Sequence, residues 1–395
     1  MREHRWLLAA AAVAFGEFAA SRASNFAAAW PVAAFAAALV ALFGFGAGVR
    51  GWRHVCLFLV GVALFFHASV EREMALQMSP WLRGSVERLM PSRRCQSSRL
   101  ASLRTEAARR LSVGLERRAS ASALNRAILL GERARLPPGL RRIFVASGAM
   151  HVFAVSGLHV MAVAGVLALL LRLVLVPRRV AGAVALPGVW GYVCLIGAPP
   201  SAVRAALMAS FCCVAPVFWR RPSIVVAWSL TLLAVCVADP VLVTDVGCQL
   251  SFTVMLAIIL AGMCLREGDG AVAGTLWMTF AAWVAGVPIT AHVFGHVTPG
   301  GLLANIVLIP AAGVTVAAGA AGVLAGFVSD ALAAHLNNLA ALASEAMAGV
   351  ASAVASIPGA DLAVRPWPVP VCAAWYGALV AVFLFVSARR RNASL

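Results

Sequence analysis

The chain has 395 residues, of which 62% are hydrophobic and only 12% are charged, and its mean hydropathy is +0.90. Soluble domains carry about 25% charged residues, so this composition excludes an ordinary soluble protein and indicates a polytopic membrane protein. The formal net charge of +17 comes from arginine alone, because the chain contains no lysine. Excess arginine is typical of a cytoplasmic membrane face, of contact with anionic lipid, or of a polyanionic cargo.

The first part of the chain predicts three membrane spans followed by a basic segment. Residues 7–20, 27–48 and 55–70 are apolar runs, and the first is too closely followed by the second to be a cleaved signal peptide. Residues 71–142 are the least hydrophobic part of the chain and hold 16 arginines against 6 glutamates. Within them, leucines spaced among charges over 98–118 predict an amphipathic surface helix.

The remaining chain is a rapid series of apolar runs. We predict spans at about 150–176, 180–198, 202–218, 224–238, 246–264, 272–291, 301–328, a thinner amphipathic one at 332–357, and 370–386. The predicted fold is therefore an all-α polytopic membrane protein, a helical bundle of about 10–12 transmembrane segments with broken or re-entrant helices.

The connectors between these runs predict the topology. Residues 177–179, 219–221 and 388–391 are short and basic, whereas 198–200, 239–245 and 292–300 contain no arginine. The positive-inside rule places the first set in the cytoplasm and the second outside, with both termini inside. The long basic segment then lies outside, which the rule permits for loops longer than about 60 residues.

One apolar stretch, 144–165, carries an unusual number of polar and glycine residues. His151, Ser156 and His159 lie within it, and Gly157 interrupts it. Polar groups in hydrocarbon need partners or a water-filled path, and glycine lets a helix unwind where it lines a cavity. We interpret the stretch as part of a polar lining; helix-packing hydrogen bonds are the alternative, and the spacing of the two histidines does not favour zinc.

Further polar residues enter later spans. Arg204 lies one turn inside its span. Either it belongs to a functional site, or its side chain extends back to the membrane interface. Asp245 precedes a span at a position suited to capping its free amides. Gln249 and Ser251 follow inside the bilayer, and Gln249 requires an interhelical partner.

A last group surrounds residues 292–310. His292 and His296 have the spacing of a metal pair, but Gly295 and Pro299 indicate a turn, and we predict that the chain carries no stoichiometric zinc. Asn305 and Pro310 within the next apolar run predict a broken helix. The sequence has no phosphate-binding GxxxxGK[ST], no HExxH and no complete hydrolase motif, so we predict no catalytic residues, no cofactor and no enzyme.

Several stretches together resemble the ComEC family of competence proteins. They are AILLGE at 127–132, HVFAVSGLHV at 151–160, SAVRAALM at 201–208, DVGCQLSF at 245–252, and 292–305 followed by Pro310. The resemblance covers about 124–370 and keeps the family order. It implies three parts: N-terminal transmembrane helices at 1–70, an arginine-rich extracytoplasmic segment at 71–123, and a competence-type channel domain at 124–395.

The resemblance also implies a function and a place. The chain would be a multi-pass protein of the bacterial inner membrane that admits single-stranded DNA to the cytoplasm. Its path would be lined by the polar and glycine positions His151, Ser156, Gly157, His159, Arg204, Asp245, Gln249, Ser251 and Asn305. Phosphates would be gathered outside by Arg104, Arg109, Arg110, Arg117 and Arg118.

The sequence departs from the full family pattern in two respects. The basic segment is too short and too poor in β-branched residues for an external OB-fold, and no metallo-β-lactamase-like set of histidines follows the last span. We expect the chain to bind single-stranded DNA and anionic membrane lipid. Because these two parts are missing from the pattern, we also expect separate protein partners, such as a nuclease, a DNA receptor or a cytoplasmic helicase. Two alternatives remain from the residues alone: a permease for a small anionic solute, and a membrane enzyme on lipid or cell-wall precursors that uses His151 or His159 as a base.

Overall fold

The computed structural model describes residues 98–392, apart from 239–241, 243–244, 266–267 and 269. The predicted N-terminal spans at 1–70 and the basic residues 71–97 lie outside the described residues. The described chain is almost entirely helical, which confirms the all-α fold class. Its contacts divide it into two units. The site unit contains the described residues 98–222 and 298–362, and the second unit contains 223–297 and 363–392.

The site unit is built from eight helices. They are α1 (Ser98–Leu111), α2 (Ala119–Leu130), α3 (Pro138–Ala146), α4 (Gly157–Leu173), α5 (Arg178–Leu195), α6 (Pro200–Val214), α10 (Pro299–Ala325) and α11 (Asp330–Ala355). Short 3-10 turns at Arg133–Arg135, Met150–Phe153 and Ala215–Phe218 complete it. Proline occupies the first turn of α3, α6 and α10, where its missing N–H leaves no helical hydrogen bond unmade.

The second unit contains α7 (Ile224–Ala238), α8 (Val246–Met263), α9 (Ala271–Val293), β1 (His296–Val297) and α12 (Val369–Asn392). Strand β2 (Leu362–Ala363) precedes α12, and the N–H of Val364 donates to the carbonyl of Gly295 at 2.8 Å. Gly295 has a φ of +67°, so the turn expected there is confirmed.

Each predicted span from residue 150 onward corresponds to one helix in the described part of the chain. Five helical segments are long and apolar enough to cross a membrane: Pro200–Phe218, Val246–Met263, Val272–Val293, Pro299–Ala325 and Asp330–Ala355. Gly157–Leu173, Ile224–Cys236 and Val369–Phe383 are shorter apolar helices. The protein is therefore a polytopic α-helical membrane protein, as its composition predicts.

Helices α10 and α11 form an antiparallel pair at the centre of the site unit. Small residues line their contact: Gly322 lies against Asn337 and the carbonyl of Ala333, and the Thr315 hydroxyl lies 3.4 Å from the carbonyl of Ala340. Close packing of small residues holds helices together where the hydrophobic effect is weak, as it is in lipid. Ser329 caps α11, since its hydroxyl accepts a hydrogen bond from the N–H of Leu332 at 3.4 Å.

The main apolar cluster of the site unit joins this pair to the helices before it. Phe144 and Phe153 are both fully buried and meet edge to face, with their ring centroids 4.7 Å apart. Leu111, Leu308 and Met347 belong to the same cluster. The cluster therefore includes α1, which the sequence predicts as a surface helix.

Two expectations differ from the structure. The predicted helix over 98–118 ends at Leu111, and both Leu111 and Leu115 are buried in the unit. The predicted break at Asn305–Pro310 is wrong, because α10 continues through Pro310. A proline ring frees only the carbonyl four residues earlier, and neighbouring segments in a membrane bundle accommodate such a defect.

Candidate functional site

The candidate site is centred on a non-helical segment, residues 147–156, within the predicted span 150–176. Helix α3 ends at Ala146, the chain turns at Gly148 and makes one 3-10 turn, and α4 begins only at Gly157. Gly148 has a φ of +70°, and a Cβ on it would lie 2.7 Å from the Cβ of Thr298. Only glycine fits both the left-handed backbone and this close approach. The expected helix interruption is present.

This non-helical segment lies along the first half of α10. Gly148 meets Thr298 at the start of that helix, and His151 lies near the Asn305 side chain two turns later. A Cβ on Gly313 would be 3.8 Å from the Cδ1 of Leu158. Because α10 has 27 residues, Gly313 lies near its middle. Helix α4 therefore begins beside the midpoint of a helix long enough to cross the membrane.

The start of α6 lies beside the start of α4. The Ser201 hydroxyl donates to the carbonyl of Val155 at 2.7 Å. A Cβ on Gly157 would be 3.9 Å from the Cβ of Ala205, so the first turns of the two helices are in contact. Each helix N-terminus carries about half a positive charge, and discontinuous membrane helices use such ends to bind anionic groups.

His159 lies in the first turn of α4 and is 1% exposed. The backbone N–H of Ser156 donates to its Nδ1 at 3.2 Å, and the Ser156 hydroxyl lies 3.1 Å from the same atom. Since Nδ1 accepts a hydrogen bond, the ring proton is on Nε2. This Nε2 is buried and has no hydrogen-bond partner in the described protein. It is a donor available to an anion or a water molecule.

Arg204 lies one turn inside α6, next to Ala205, and is 5% exposed. It is the one buried arginine among the described residues. Reaching back to the interface would leave the side chain exposed, so its burial favours the interpretation that Arg204 belongs to a site. Burying a guanidinium costs several kcal/mol unless polar or charged groups surround it.

Asn305 and His151 supply polar groups on the α10 side. His151 donates from Nδ1 to the carbonyl of Gly148 at 3.2 Å, which fixes its ring against the turn. The Oδ1 atom of Asn305 is buried and has no hydrogen-bond partner in the described protein. An acceptor of this kind at membrane depth suits a water-lined path, because hydrocarbon offers it no donor.

The predicted lining is divided between the two units. His151, Ser156, Gly157, His159, Arg204 and Asn305 lie in the site unit, around the starts of α4 and α6 and the first half of α10. Asp245, Gln249 and Ser251 lie on α8 of the second unit. Asp245 caps α8 as expected, because its Oδ1 accepts a hydrogen bond from the N–H of Cys248 at 2.8 Å. Gln249 and Ser251 follow in the first two turns of α8 and are partly buried.

Four of the five predicted phosphate-binding arginines contact groups within the site unit. Arg104 donates from Nη2 to the carbonyl of Leu130 at 2.9 Å. Arg118 pairs with Glu345 and donates to the Oδ1 of Asn338 at 3.2 Å. Arg117 is exposed and has no partner in the described protein. A phosphate at Arg104 or Arg118 would have to share donors with these partners, and the assignment stays a prediction.

The remaining two arginines hold one carboxylate. Arg109 donates from Nε and Nη2 to the two oxygens of Glu106, and Arg110 donates from Nε to Oε1 at 2.7 Å. The hydrogen bond from Arg109 is the main reason that the pKa of Glu106 falls to about 2. The Arg110 guanidinium also lies over the ring of Phe327.

The His292 and His296 pair does not gather further ligands in the described part of the chain. His292 donates from Nδ1 to the carbonyl of Trp367 at 2.7 Å. Among the described residues, no group of three histidine, cysteine, aspartate or glutamate side chains is placed to hold a metal ion. That the purified chain carries no stoichiometric zinc stays a prediction.

Three residues of the site are absent from the predicted lining. They are Gly148, Ser201 and Thr298, which join the non-helical segment to α6 and α10. The sequence near Ser201 gave a clue to its role, because this hydroxyl residue directly follows Pro199-Pro200 at the beginning of a predicted span. Thr298 had none, since its contact with Gly148 links residues far apart in the chain.

The match to a family model decides the family. A model described as competence protein matches residues 128–390, which include the non-helical segment, Arg204 and Asn305, whereas the predicted phosphate-binding arginines precede the matched range. The chain belongs to the competence protein family. Within this family member, the non-helical segment lies near the N-terminal end of the matched region, and Arg204 and Asn305 lie further along it.

Two curated relatives match parts of this competence-family chain. Competence protein ComA of Neisseria gonorrhoeae is 34% identical over 202 residues, covering 47% of this chain and 28% of the relative. ComE operon protein 3 of Bacillus subtilis (strain 168) is 28% identical over 186 residues, covering 47% of this chain and 24% of the relative. The alignments thus span only about a quarter of the length of these relatives. No solved structure matches the chain.

Proposed function

We propose that this chain forms the path by which single-stranded DNA crosses the bacterial inner membrane during natural transformation. Membership of the competence protein family supports a role in DNA uptake. One observation supports the more specific proposal of a DNA path. Helices α4 and α6 begin side by side near the midpoint of α10, next to the buried side chains of Arg204 and His159.

The proposed mechanism is electrostatic. The paired helix starts provide positive potential, Arg204 provides a fixed charge, and His159 provides an N–H donor that the protein leaves available. These groups together replace water around a phosphate as it passes through hydrocarbon depth. The sequence contains no Walker-type nucleotide site, so we propose that a separate partner supplies the energy for transport.

Transformation frequency and protein abundance, measured in one set of strains, test this proposal. We expect Arg204→Ala to reduce transport per folded molecule by about a hundredfold or more, because removing a buried charged partner costs about 2–5 kcal/mol. Gln249→Ala should reduce it by about tenfold, because a neutral side-chain hydrogen bond contributes about 1 kcal/mol. Arg141→Ala is the matched control, since Arg141 is an exposed arginine on α3. Normal transport per molecule in both site variants would show that these residues only hold helices together.

A second measurement separates DNA from other cargoes. Purified protein should bind long single strands with an affinity that falls as salt rises, since phosphate contacts release counterions. Saturable uptake of a small anion without binding of long strands would instead identify a permease.

A further inference from the structure

A second cluster of arginines lies on the site unit, away from the non-helical segment. It comprises the end of α4, the turn that follows and the first residues of α5, together residues 172–179, and the segment after α6, residues 216–221; we call it the basic-aromatic patch. Arg179 joins the two parts, because its Nε donates to the carbonyl of Pro216 at 2.7 Å and its guanidinium lies over the Trp219 ring. These parts follow the C-terminal ends of α4 and α6, whereas the candidate site surrounds the beginnings of the same helices.

The charge of this patch is not neutralised within the described protein. Arg172, Arg178, Arg220 and Arg221 are exposed, and their guanidinium groups make no hydrogen bond or ion pair to any described residue. The sequence contains no acidic residue between Glu132 and Asp239, so the patch has no acid of its own. Four available guanidinium groups and Arg179 therefore favour an anionic partner.

The same patch exposes large apolar side chains. Leu175 is 90% exposed and Trp219 is 87% exposed, and Leu173, Val174 and Phe218 are exposed beside them. Leu175 and Trp219 also have positive φ angles, +66° and +57°, which are unfavourable for residues with a bulky side chain. Large apolar groups held outward beside charges mark a surface that binds a partner.

The combination identifies the chemistry of the partner. An anionic phospholipid offers a phosphate to the arginines and acyl chains to Leu175 and Phe218 at the same time. Tryptophan prefers the membrane interface for the same reason, since one part of its ring is apolar and its N–H is polar. A nucleic acid phosphate would satisfy the arginines but would leave the aliphatic side chains in water.

We propose that the basic-aromatic patch is a binding site for the headgroup of an anionic glycerophospholipid. The site lies at the membrane face towards which α4 and α6 end, and it is independent of the proposed DNA path.

Native mass spectrometry of the purified full chain, with phosphatidylglycerol or phosphatidylcholine added, tests the proposal. We expect phosphatidylglycerol to be retained and phosphatidylcholine to be lost. The triple variant Arg178→Gln, Arg220→Gln, Arg221→Gln should weaken phosphatidylglycerol retention by at least about tenfold, given the usual contribution of each arginine near an anionic surface. The matched control, Arg99→Gln, Arg141→Gln, Arg142→Gln, removes three exposed arginines elsewhere and should retain the lipid.

Two further variants test the apolar part without straining the backbone. Leu175→Gly and Trp219→Gly remove exposed side chains at positions whose positive φ glycine adopts readily. Both should fold normally in size-exclusion and thermal assays and should retain less phosphatidylglycerol.

Three outcomes would overturn the proposal. Equal loss of lipid in the control triple variant would show that lipid retention depends on the net charge of the protein and not on this patch. Displacement of the lipid by millimolar inorganic phosphate would indicate a small-anion site. Displacement by a short single-stranded oligonucleotide that binds the same arginines would assign the surface to DNA.

Discussion

Individual polar residues in this protein are placed where hydrocarbon would otherwise penalise them. The Nδ1 of His159 accepts a hydrogen bond from the N–H of Ser156, three residues earlier, and its Nε2 is a buried donor. Arg204 is buried one turn into the neighbouring helix. Membrane anchors do not require such groups, and their burial next to two helix starts is what favours a functional path.

Gly148 gives a prediction at the same scale. Gly148→Ala should lower the stability and abundance of the protein, because a left-handed non-glycine residue costs about 1–2 kcal/mol and the new Cβ would clash with Thr298. Thermal unfolding in detergent and membrane abundance measure the effect. Gly165→Ala is the control, since a Cβ at Gly165 in helix α4 meets nothing within 4 Å. Equal stability of the two variants would show that the Gly148 turn is not required.

The elements of the site unit show how short helices are held against long ones. Helix α4 has 17 residues and α10 has 27, so α4 can begin beside the middle of α10 only because the segment before it is not helical. The amides and carbonyls of such a segment must find partners within the protein or in a water-filled cavity. The bonds of Ser201 to Val155 and His151 to Gly148 meet part of that requirement.

Helices α1 and α2 depend on polar contacts with α11. The Asn337 side chain is fully buried and donates from Nδ2 to the carbonyls of Arg110 and Val113, at 2.8 Å and 3.0 Å. Asn125 on α2 accepts a hydrogen bond from the hydroxyl of Ser344 at 2.9 Å. The two Asn337 bonds give the Val113 carbonyl a donor and add a second donor to the Arg110 carbonyl, which also accepts from the N–H of Val113 at 3.2 Å.

Asn337→Ala should therefore loosen α1 from the unit and lower the free energy of unfolding by about 2–3 kcal/mol, the cost of two lost hydrogen bonds and of leaving the Val113 carbonyl without its donor. Limited proteolysis across residues 98–118 and thermal unfolding are the measurements. His335→Ala serves as control, because His335 is exposed on the same helix and bonds only the carbonyl of Ala331. Unchanged protection of α1 in Asn337→Ala would contradict this account.

At the scale of the whole molecule, the distribution of arginine among the connectors predicts the topology: basic connectors lie on the cytoplasmic face and arginine-free connectors on the outer face. Within the site unit, the basic connectors 177–179 and 219–221 lie together through Arg179, and the arginine-free connector before Ser201 lies beside Val155. The two basic connectors therefore lie at one end of the site unit, and their assignment to the cytoplasmic face stays a prediction.

Sidedness can be measured with single cysteines in a background without native cysteine. We expect Arg99→Cys to react with an impermeant thiol reagent from outside the cell and Arg178→Cys to react only after the cytoplasmic face is exposed, because short basic connectors stay inside. Both arginines are exposed in the structure. Labelling of Arg99→Cys from the cytoplasmic side alone would reverse the predicted topology of the basic segment.

The sequence by itself determined the features that depend on near neighbours in the chain. Apolar run lengths predicted the helices from α4 to α12, Asp245 predicted its own cap, and glycines with polar residues predicted the interruption before Gly157. Each of these follows from the local balance of hydrophobicity, backbone freedom and free amides. The prediction at Pro310 failed because packing within the bundle outweighed the local preference of proline.

Only the tertiary structure decided which distant residues meet. Gly148 meets Thr298, Ser201 meets Val155, and Asn337 meets the end of α1. The division of the predicted lining between two units is of the same kind, since α8 and α6 carry similar polar signals and nothing local assigns them to different units. Such contacts depend on how small-residue helix surfaces fit together in three dimensions, and that fit is a property of pairs of helices rather than of any one segment.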